Sequence, residues 1–422
     1  MSILMIVSNL LPHKLLIFDL ELKGHHVDYL HHIIIFKQKE AIPGILFIVV
    51  APQFEDKIRK YIHDLSELKT DNIFIIPVLQ EELDAVEQAN SLAAATIKTW
   101  HIAKKYAEKF SVHHCVFMWL DHILQIPLAL HWQFPCAISG ICFRPMFHYS
   151  KFPNINMSRL ENLKSWRQKI LYFSAIRHTQ LHTLFCLDPF VPKAINKLSR
   201  QMKAVHLPDP VAQRQDIINQ EALNNLRRSL ALDSKRKVFL FFGAIAARKG
   251  VFKLLDALSL LDDVISEKVA VLLIGEIVHN QDKQPITQKI ERLKHLSAVQ
   301  IVFRNNFVTD AEMYLYFSLA DVVLAPYQKH VGMSGILLQA AAAGKPVISS
   351  NYGLMGQMID TYSLGLAVNT ELPAAIAGAI QETFSDTFKT VYDLEKMQQW
   401  VAQNSPDMFS RTIFDQIIKP NA

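Results

Sequence analysis

The chain has 422 residues, of which half are hydrophobic and one in five is charged, and its formal net charge is +5. This length is sufficient for two domains with separate cores. The small basic excess suits anionic ligands or a membrane surface. A nucleic-acid-binding protein would usually be more basic, so we predict no nucleic-acid partner.

The amino terminus and the cysteines indicate a cytoplasmic protein. Residues 2–7 lack a basic n-region and a cleavage site, so they indicate a first core strand rather than a signal peptide. No apolar run reaches the roughly 18 residues needed to span a bilayer. All four cysteines lie in apolar runs without the spacing of metal ligands, which is typical of reduced core thiols.

Apolar runs alternate with helical stretches in the first half of the chain. The predicted strands are 3–8, 44–51, 72–78, 115–120, 136–143, 183–187 and 204–207, and the predicted helices include 27–38, 83–109 and 159–177. The runs are continuously apolar, as expected for strands that are buried on both faces. This pattern predicts an α/β fold with a doubly wound parallel sheet.

The same pattern restarts at Lys237. The predicted strands are 238–242, 269–275, 299–303, 321–325, 346–350 and 364–368. We therefore predict Rossmann-like domains at 1–207 and 237–391, a linker at 208–236 and a helical segment at 392–422. Two such domains would face each other across a cleft, with ligands at the carboxyl ends of the strands.

A loop of small residues opens the alanine-rich helix that precedes Gly344. Gly332, Ser334 and Gly335 leave the backbone accessible to a ligand. The first N–H groups of a helix have no intrahelical partner, and the helix dipole adds to their attraction for an anion. This segment predicts a diphosphate-binding site.

A second loop follows the strand that ends at Gly243. Arg248 and Lys249 precede the next helix, where two cations would neutralise a diphosphate. The alternative is a basic helix start on the surface, which the helix dipole disfavours. There is no Asp-x-Asp motif beside a strand end, so we predict no metal ion.

Together with the run 320–326, these two loops resemble the family 4 (group 1) glycosyltransferases. Those enzymes retain anomeric configuration, use nucleotide sugars and have the GT-B fold. The resemblance covers roughly residues 237–370 and keeps the order and spacing of the motifs. In the first half it is only an outline, carried by Gly24-His25-His26 and by 207–211. It implies that the last helix, within 392–422, crosses back to the first domain.

The donor segment departs from that family at three positions. Val331 and Gln339 occupy the places of its two glutamates, and Ala244 replaces an arginine. The resemblance implies that Gln339 bonds a ribose hydroxyl, and that Arg248 and His330 compensate for the lost groups.

The base would lie near Asn306, where the strand at 299–303 ends, chiefly through backbone contacts. The co-substrate implied by the resemblance is a nucleotide-diphosphate sugar, without a further cofactor.

Polar residues also follow two strands of the first half. Asp121 follows one predicted strand, and Arg144 and His148 follow the next. At carboxyl ends of a parallel sheet they would face the cleft and orient the acceptor hydroxyl or the sugar. Alternatively they are polar loop residues, and Asp121 simply caps a helix.

The stretch 158–203 combines many cations with apolar residues at near-helical spacing. Such a helix is typical of an anionic membrane surface, or of a helix packed on its own sheet with one solvated face.

These features together predict a retaining GT-B glycosyltransferase, cytoplasmic or peripheral on the inner face of a membrane. Its acceptor would be a glycan, a lipid-linked sugar or a small molecule. The alternative is a catalytically degenerate GT-B protein that binds a nucleotide sugar or a partner as scaffold or regulator. A GT-B epimerase would need acidic residues in the donor segment, which lacks them.

Overall fold

A computed structural model describes residues 13–22, 24–59, 71–145, 159–199, 202–211 and 219–418. These residues form two compact units. Unit 1 contains the described residues up to Pro210 together with those from Ser405 onward, and unit 2 contains the described residues from Val211 to Asn404. The predicted strand at 3–8 lies outside the described residues.

Unit 1 is a parallel seven-stranded sheet flanked by helices, with the order β3-β2-β1-β4-β5-β6-β7. Its strands are β1 (Lys14–Asp19), β2 (Ile45–Val50), β3 (Ile73–Pro77), β4 (His114–Phe117), β5 (Ala137–Cys142), β6 (Leu181–Cys186) and β7 (Lys203–His206). Its helices are α1 (His26–Lys39), α2 (Phe54–Ile58), α3 (Gln80–Glu87), α4 (Leu92–Phe110), α5 (Asp121–Ile123), α6 (Arg159–Ala175) and α7 (Val191–Asn196), with a π-helical turn at Leu124–Leu128.

An interior strand of this sheet, β1, was missed by the sequence analysis. Its side chains alternate between two apolar layers, because successive residues of a strand point to opposite faces. Leu16 and Phe18 pack in one buried cluster, and Leu15 and Ile17 pack in the other. The sheet is therefore covered on both faces, as the continuous apolar runs predict.

Unit 2 is a parallel six-stranded sheet with the order β10-β9-β8-β11-β12-β13. Its strands are β8 (Lys237–Phe242), β9 (Val269–Ile274), β10 (Gln300–Arg304), β11 (Val322–Ala325), β12 (Val347–Ser350) and β13 (Gly365–Val368). Its helices are α8 (Gln220–Ser229), α9 (Val251–Leu258), α10 (Asp263–Ser266), α11 (Asn280–Leu296), α12 (Asp310–Leu319), α13 (Gly335–Ala342), α14 (Gly353–Tyr362), α15 (Pro373–Glu382) and α16 (Leu394–Gln403), with 3₁₀ turns at Ala247–Lys249 and Asp386–Thr390.

These two sheets confirm the predicted α/β class and doubly wound architecture. The predicted helix 83–109 is two helices, because Ser91 starts α4 by accepting the Ala94 N–H at 3.2 Å. The stretch predicted as a linker contains α8, and the boundary between the units lies after Pro210.

The predicted helical segment 392–422 also divides, near Pro406. Its first part, α16, belongs to unit 2. Its second part, α17 (Pro406–Ile418), packs on α1 of unit 1, where Phe414 stacks on Phe36 and Phe409 contacts Tyr29. The last helix therefore crosses back to the first unit, as the resemblance implies.

Candidate functional site

The topological switch point of unit 2 lies between β8 and β11. These strands are neighbours, but the chain continues from β8 towards one edge of the sheet and from β11 towards the other. Ligands of open α/β sheets bind at the carboxyl side of such a point. Both loops that the sequence analysis selected, 243–250 and 326–334, emerge there.

Tyr327 links these two loops. Lys249 donates a hydrogen bond from Nζ to the Tyr327 hydroxyl, and Nζ lies 3.8 Å from the centroid of the same ring. Ser334 donates from Oγ to the Tyr327 hydroxyl at 3.1 Å. The sequence analysis missed Tyr327, although it directly follows Pro326 at the end of a predicted strand.

Lys249 is a cation without an anionic partner in the described part of the chain. Burial, with a smaller contribution from the neighbouring Arg248, lowers its pKa to about 7. Burial raises the pKa of Tyr327 to about 12, so its hydroxyl stays neutral and does not compensate the ammonium group. A lysine destabilised in this way gains most from an anionic ligand, which restores its charge.

The backbone brings the two loops into direct contact. Gln328 donates its N–H to the Arg248 carbonyl at 2.9 Å. Gly250 has a positive φ of 84°, and a Cβ there would lie 1.8 Å from the Pro326 carbonyl oxygen. Only glycine permits this approach, which fixes Lys249 beside the β11 loop.

The start of α13 leaves its first N–H groups without a side-chain cap. Ser334 is the N-cap residue, but its side chain makes no capping bond, and its hydroxyl bonds to Tyr327. The N–H groups of Gly335 and Ile336 therefore remain open to an anion beside Lys249.

The other predicted residues of this segment differ in their contacts and burial. His330 bonds through Nε2 to the Met333 carbonyl at 3.0 Å and contacts the Tyr327 ring edge-on, so it shapes the loop. Gly332 is buried, whereas Gln339 is half-buried on α13. The roles assigned to these residues stay predictions.

The β8 loop is also joined to the loops after β9 and β10. Ile245 donates its N–H to the Glu276 carbonyl at 2.8 Å, and Ile277 donates to Oδ1 of Asn305 at 2.9 Å. Gly243, at a positive φ of 95°, donates to the Ile274 carbonyl. Asn305 was missed by the sequence analysis.

Asn306, which was selected instead, is exposed and bonds to the Phe307 carbonyl. It follows β10, and β10 lies three strand positions, or about 14 Å, from β11 in the sheet.

In unit 1, Asp121 organises the loop after β5. Its carboxylate accepts the N–H groups of Phe143 at 2.9 Å and Arg144 at 2.8 Å. The Arg144 side chain is exposed, and His148 lies outside the described residues. The structure therefore gives Asp121 a structural function, and the catalytic roles of these three residues stay predictions.

At the carboxyl end of β1, the sequence analysis selected His26, within Gly24-His25-His26, but missed its buried partner Asp19. His26 Nδ1 lies 2.8 Å from Oδ2 of Asp19, and its ring stacks on Phe143 and contacts Trp119. Burial alone would lower the pKa of His26, but the hydrogen bond and charge of Asp19 outweigh it and raise that pKa. The signal was an aspartate after the apolar run Leu15–Phe18, which had not been assigned as a strand.

Two kinds of feature are absent from the described ranges. No group of three His, Cys, Asp or Glu side chains within these ranges is arranged to hold a metal ion. None of the helices in the same ranges combines the length and hydropathy that a membrane crossing requires.

Comparison with known proteins gives a family match in the second half of the chain. A family model described as "Glycosyl transferases group 1" matches residues 224–405, which include the whole candidate site of unit 2. A putative glycosyltransferase, YtcC of Bacillus subtilis, is 24% identical over 161 residues, or 38% of this chain and 39% of the relative.

A lipopolysaccharide 1,2-N-acetylglucosaminetransferase of Salmonella typhimurium is 24% identical over 138 residues, or 32% of this chain and 36% of the relative. The chain thus spans less than half the length of these curated relatives. Among solved structures, Anabaena HepE in complex with UDP superposes with a TM-score of 0.65 at 14% identity, covering 96% of this chain and 100% of that one. At this identity the superposition establishes the fold alone.

Proposed function

We propose that the chain transfers a sugar from a nucleotide-diphosphate sugar, because a model of the group 1 glycosyl transferases matches residues 224–405. The acceptor is a glycan, a lipid-linked sugar or a small molecule, and anomeric configuration is retained. The retention follows from the resemblance to the family 4 enzymes. HepE has been solved with UDP, which supports a nucleotide donor.

The observation that carries this proposal is the uncompensated Lys249 beside the start of α13. When the bond between the anomeric carbon and the diphosphate breaks, the electron pair goes to the leaving diphosphate. Lys249 and the N–H groups of Gly335 and Ile336 are placed to stabilise that charge. The ammonium group of Lys249 thus supplies positive charge beside the leaving diphosphate.

The substitutions at Val331, Gln339 and Ala244 favour one alternative, a protein that binds a nucleotide sugar without transferring it. The two functions share the donor site, so binding alone does not separate them. Release of nucleoside diphosphate from the bound sugar does.

The experiment is a thermal-shift screen against nucleotide-diphosphate sugars, followed by a turnover assay with the donor that raises Tm most. A ligand of the native state raises Tm by mass action, so a selective shift identifies the donor. Diphosphate release above background supports transfer. A selective shift without release supports the alternative, and no shift with any donor contradicts both.

We expect transfer to persist in excess EDTA. This expectation follows from the cationic loop at Lys249, which would neutralise the diphosphate, and from the lack of an Asp-x-Asp motif beside a strand end. The measurement is initial rate with EDTA against rate with added Mg²⁺ or Mn²⁺. A rate abolished by EDTA and restored by either ion contradicts this prediction.

An acceptor at a membrane is favoured by the outer face of α6. Three large apolar side chains at helical spacing are exposed there: Leu163 by 63%, Trp166 by 62% and Ile170 by 47%. Arg167 is exposed between them. An apolar stripe that contains a cation suits an anionic lipid surface, so we propose peripheral membrane contact here.

We expect the double variant Leu163→Ala, Trp166→Ala to bind vesicles that contain phosphatidylglycerol at least tenfold more weakly. Burying one large apolar side chain contributes about 1.5–3 kcal/mol. The measurement is co-sedimentation with anionic and neutral vesicles at low and high salt. Leu296→Ala, at a 71% exposed leucine of unit 2, is the control. Equal binding by both variants contradicts the proposed face.

A further inference from the structure

Unit 1 contains a cavity of about 590 Å³ at the carboxyl ends of its central strands. Asp19 ends β1, Ala51 follows β2 and Trp119 follows β4, and all three line the cavity. The switch point of this sheet lies between β1 and β4, since the chain runs from them towards opposite edges. The cavity is therefore placed where open α/β sheets bind ligands, and its volume suits a small organic molecule.

The floor of the cavity is apolar. It consists of the buried side chains of Phe18, Ala51, Leu83, Phe117 and Ile123. A sugar ring in such a floor would lose the water bonded to its hydroxyls and gain no partners, which is unfavourable. An alkyl, prenyl or aromatic group would lose no hydrogen bond there.

The wall formed by α4 is mainly apolar as well. Leu92 and Ala95 contribute apolar surface. Thr96 and Thr99 also line it, but each donates its hydroxyl to the backbone carbonyl four residues earlier, at 2.8 and 2.9 Å. Neither hydroxyl proton is available to a ligand, and only the hydroxyl oxygens can still accept a hydrogen bond, so this wall is mainly apolar.

Polar groups also line the cavity, at one side and at its rim. Asp19 is buried there and bonded to His26, Glu21 and His122 are half-buried, and Gln53, Lys57 and Glu87 are exposed at the rim. An apolar floor with a polar rim matches a molecule that has one apolar and one polar end.

From this arrangement, and on the basis of the proposed function, we infer that the acceptor is an amphiphile. Its alkyl, prenyl or aryl group occupies the cavity, and its hydroxylated end lies at the rim. The cavity thus selects the acceptor's apolar group, while the donor is bound in unit 2.

The test measures binding of methyl, hexyl and octyl β-D-glucoside below their micelle concentrations. Trp119 lines the cavity and is 40% exposed, so its fluorescence reports binding, and Trp119→Phe removes the signal. Each buried methylene contributes about 0.8 kcal/mol, so we expect octyl glucoside to bind roughly tenfold more tightly than hexyl glucoside. Methyl glucoside should not bind measurably.

Two variants and one control place the binding in the cavity. Ala95→Phe fills the cavity and should abolish the chain-length dependence. Leu92→Glu puts a charge at its rim and should weaken octyl glucoside at least tenfold, and it remains folded because a carboxylate suits the first turn of α4. Ala93→Phe, exposed on the same helix, should bind as the parent chain does.

Absence of a chain-length dependence in the parent chain, or the same dependence in Ala95→Phe and Leu92→Glu, would overturn the inference. UDP binding and donor turnover are measured in parallel with the same proteins. Donor turnover without alkyl-glucoside binding refutes the amphiphilic acceptor and leaves the proposed function standing. Alkyl-glucoside binding without any nucleotide-sugar binding refutes the proposed function instead.

Discussion

We expect Lys249→Ala to lower kcat for sugar transfer by roughly 100- to 1000-fold, the usual effect of removing one group that stabilises developing charge. Lys249 is held beside the start of α13 by Tyr327 and by the close approach of Gly250 to Pro326. The variant should remain folded, because burial disfavours the ammonium group and its removal relieves that cost.

The control for this variant is Lys268→Ala. Lys268 is exposed and directly precedes β9, so it lies at the amino ends of the strands, whereas the candidate site lies at their carboxyl ends. It should turn over as the parent chain does. Equal kcat values for Lys249→Ala and the parent chain, with Tm unchanged, would remove Lys249 from the site.

The affinity of the site for a nucleoside diphosphate should fall as pH rises above about 7. In the ligand-free chain the pKa of Lys249 is about 7, so its charged fraction falls tenfold per pH unit above that value. A bound diphosphate favours the charged form and raises this pKa, so binding takes up a proton. Kd should therefore rise by up to about tenfold per pH unit.

Calorimetry in two buffers of different ionisation enthalpy measures that proton uptake directly. Near pH 7 we expect uptake of about half a proton per diphosphate bound. Lys249→Arg should abolish the uptake above pH 7, because arginine is charged throughout this range. Uptake that persists in Lys249→Arg would assign the proton to another group.

Local sequence patterns predicted the donor loops because the relevant signals are short. Gly243, Lys249 and Ser334 each lie within a few residues of a strand or helix end, and alternating strands place those ends at one edge of the sheet. Tyr327 could not be selected in this way. Its function depends on Lys249, 78 residues earlier, and no local pattern indicates that contact.

The site residues of unit 1 were harder to predict, because they too come together from distant parts of the sequence. A strand was predicted at 3–8, outside the described residues, while the short apolar run 15–18 was left unassigned because periodicity alone does not identify so short a strand. With β1 unassigned, Asp19 had no place at a strand end. The cavity beside it is lined by residues spread from Phe18 to Ile123, so only the folded chain brings them together.

Gly250→Ala should lower the free energy of unfolding by roughly 3–5 kcal/mol and abolish donor binding. Two costs combine here. A residue with a side chain is strained at a φ of 84°, and its Cβ would overlap the rigid Pro326 carbonyl, which must move. That movement would separate the β8 and β11 loops, and with them Lys249 and Tyr327.

Two other glycines separate these costs. Gly243 has a positive φ of 95°, but a Cβ there meets no atom within 4 Å, so Gly243→Ala should lose only the strain, about 1–2 kcal/mol. Gly378 lies exposed within α15, with the same open space and no positive φ. Gly378→Ala should therefore gain about 0.5–1 kcal/mol, because alanine is the better helix former.

Chemical denaturation of the three variants gives the free energies. Titration of each with the nucleoside diphosphate of the donor found by thermal shift gives the donor affinity. The expected stability order is Gly378→Ala above the parent chain, then Gly243→Ala, then Gly250→Ala. Donor affinity should be lost in Gly250→Ala and kept in Gly378→Ala. If Gly250→Ala and Gly243→Ala lose the same free energy, the contact with Pro326 contributes nothing. The position of Lys249 would then depend on Tyr327 and on the bond from Gln328 to Arg248. In that case Tyr327→Phe is the variant that should lose donor binding.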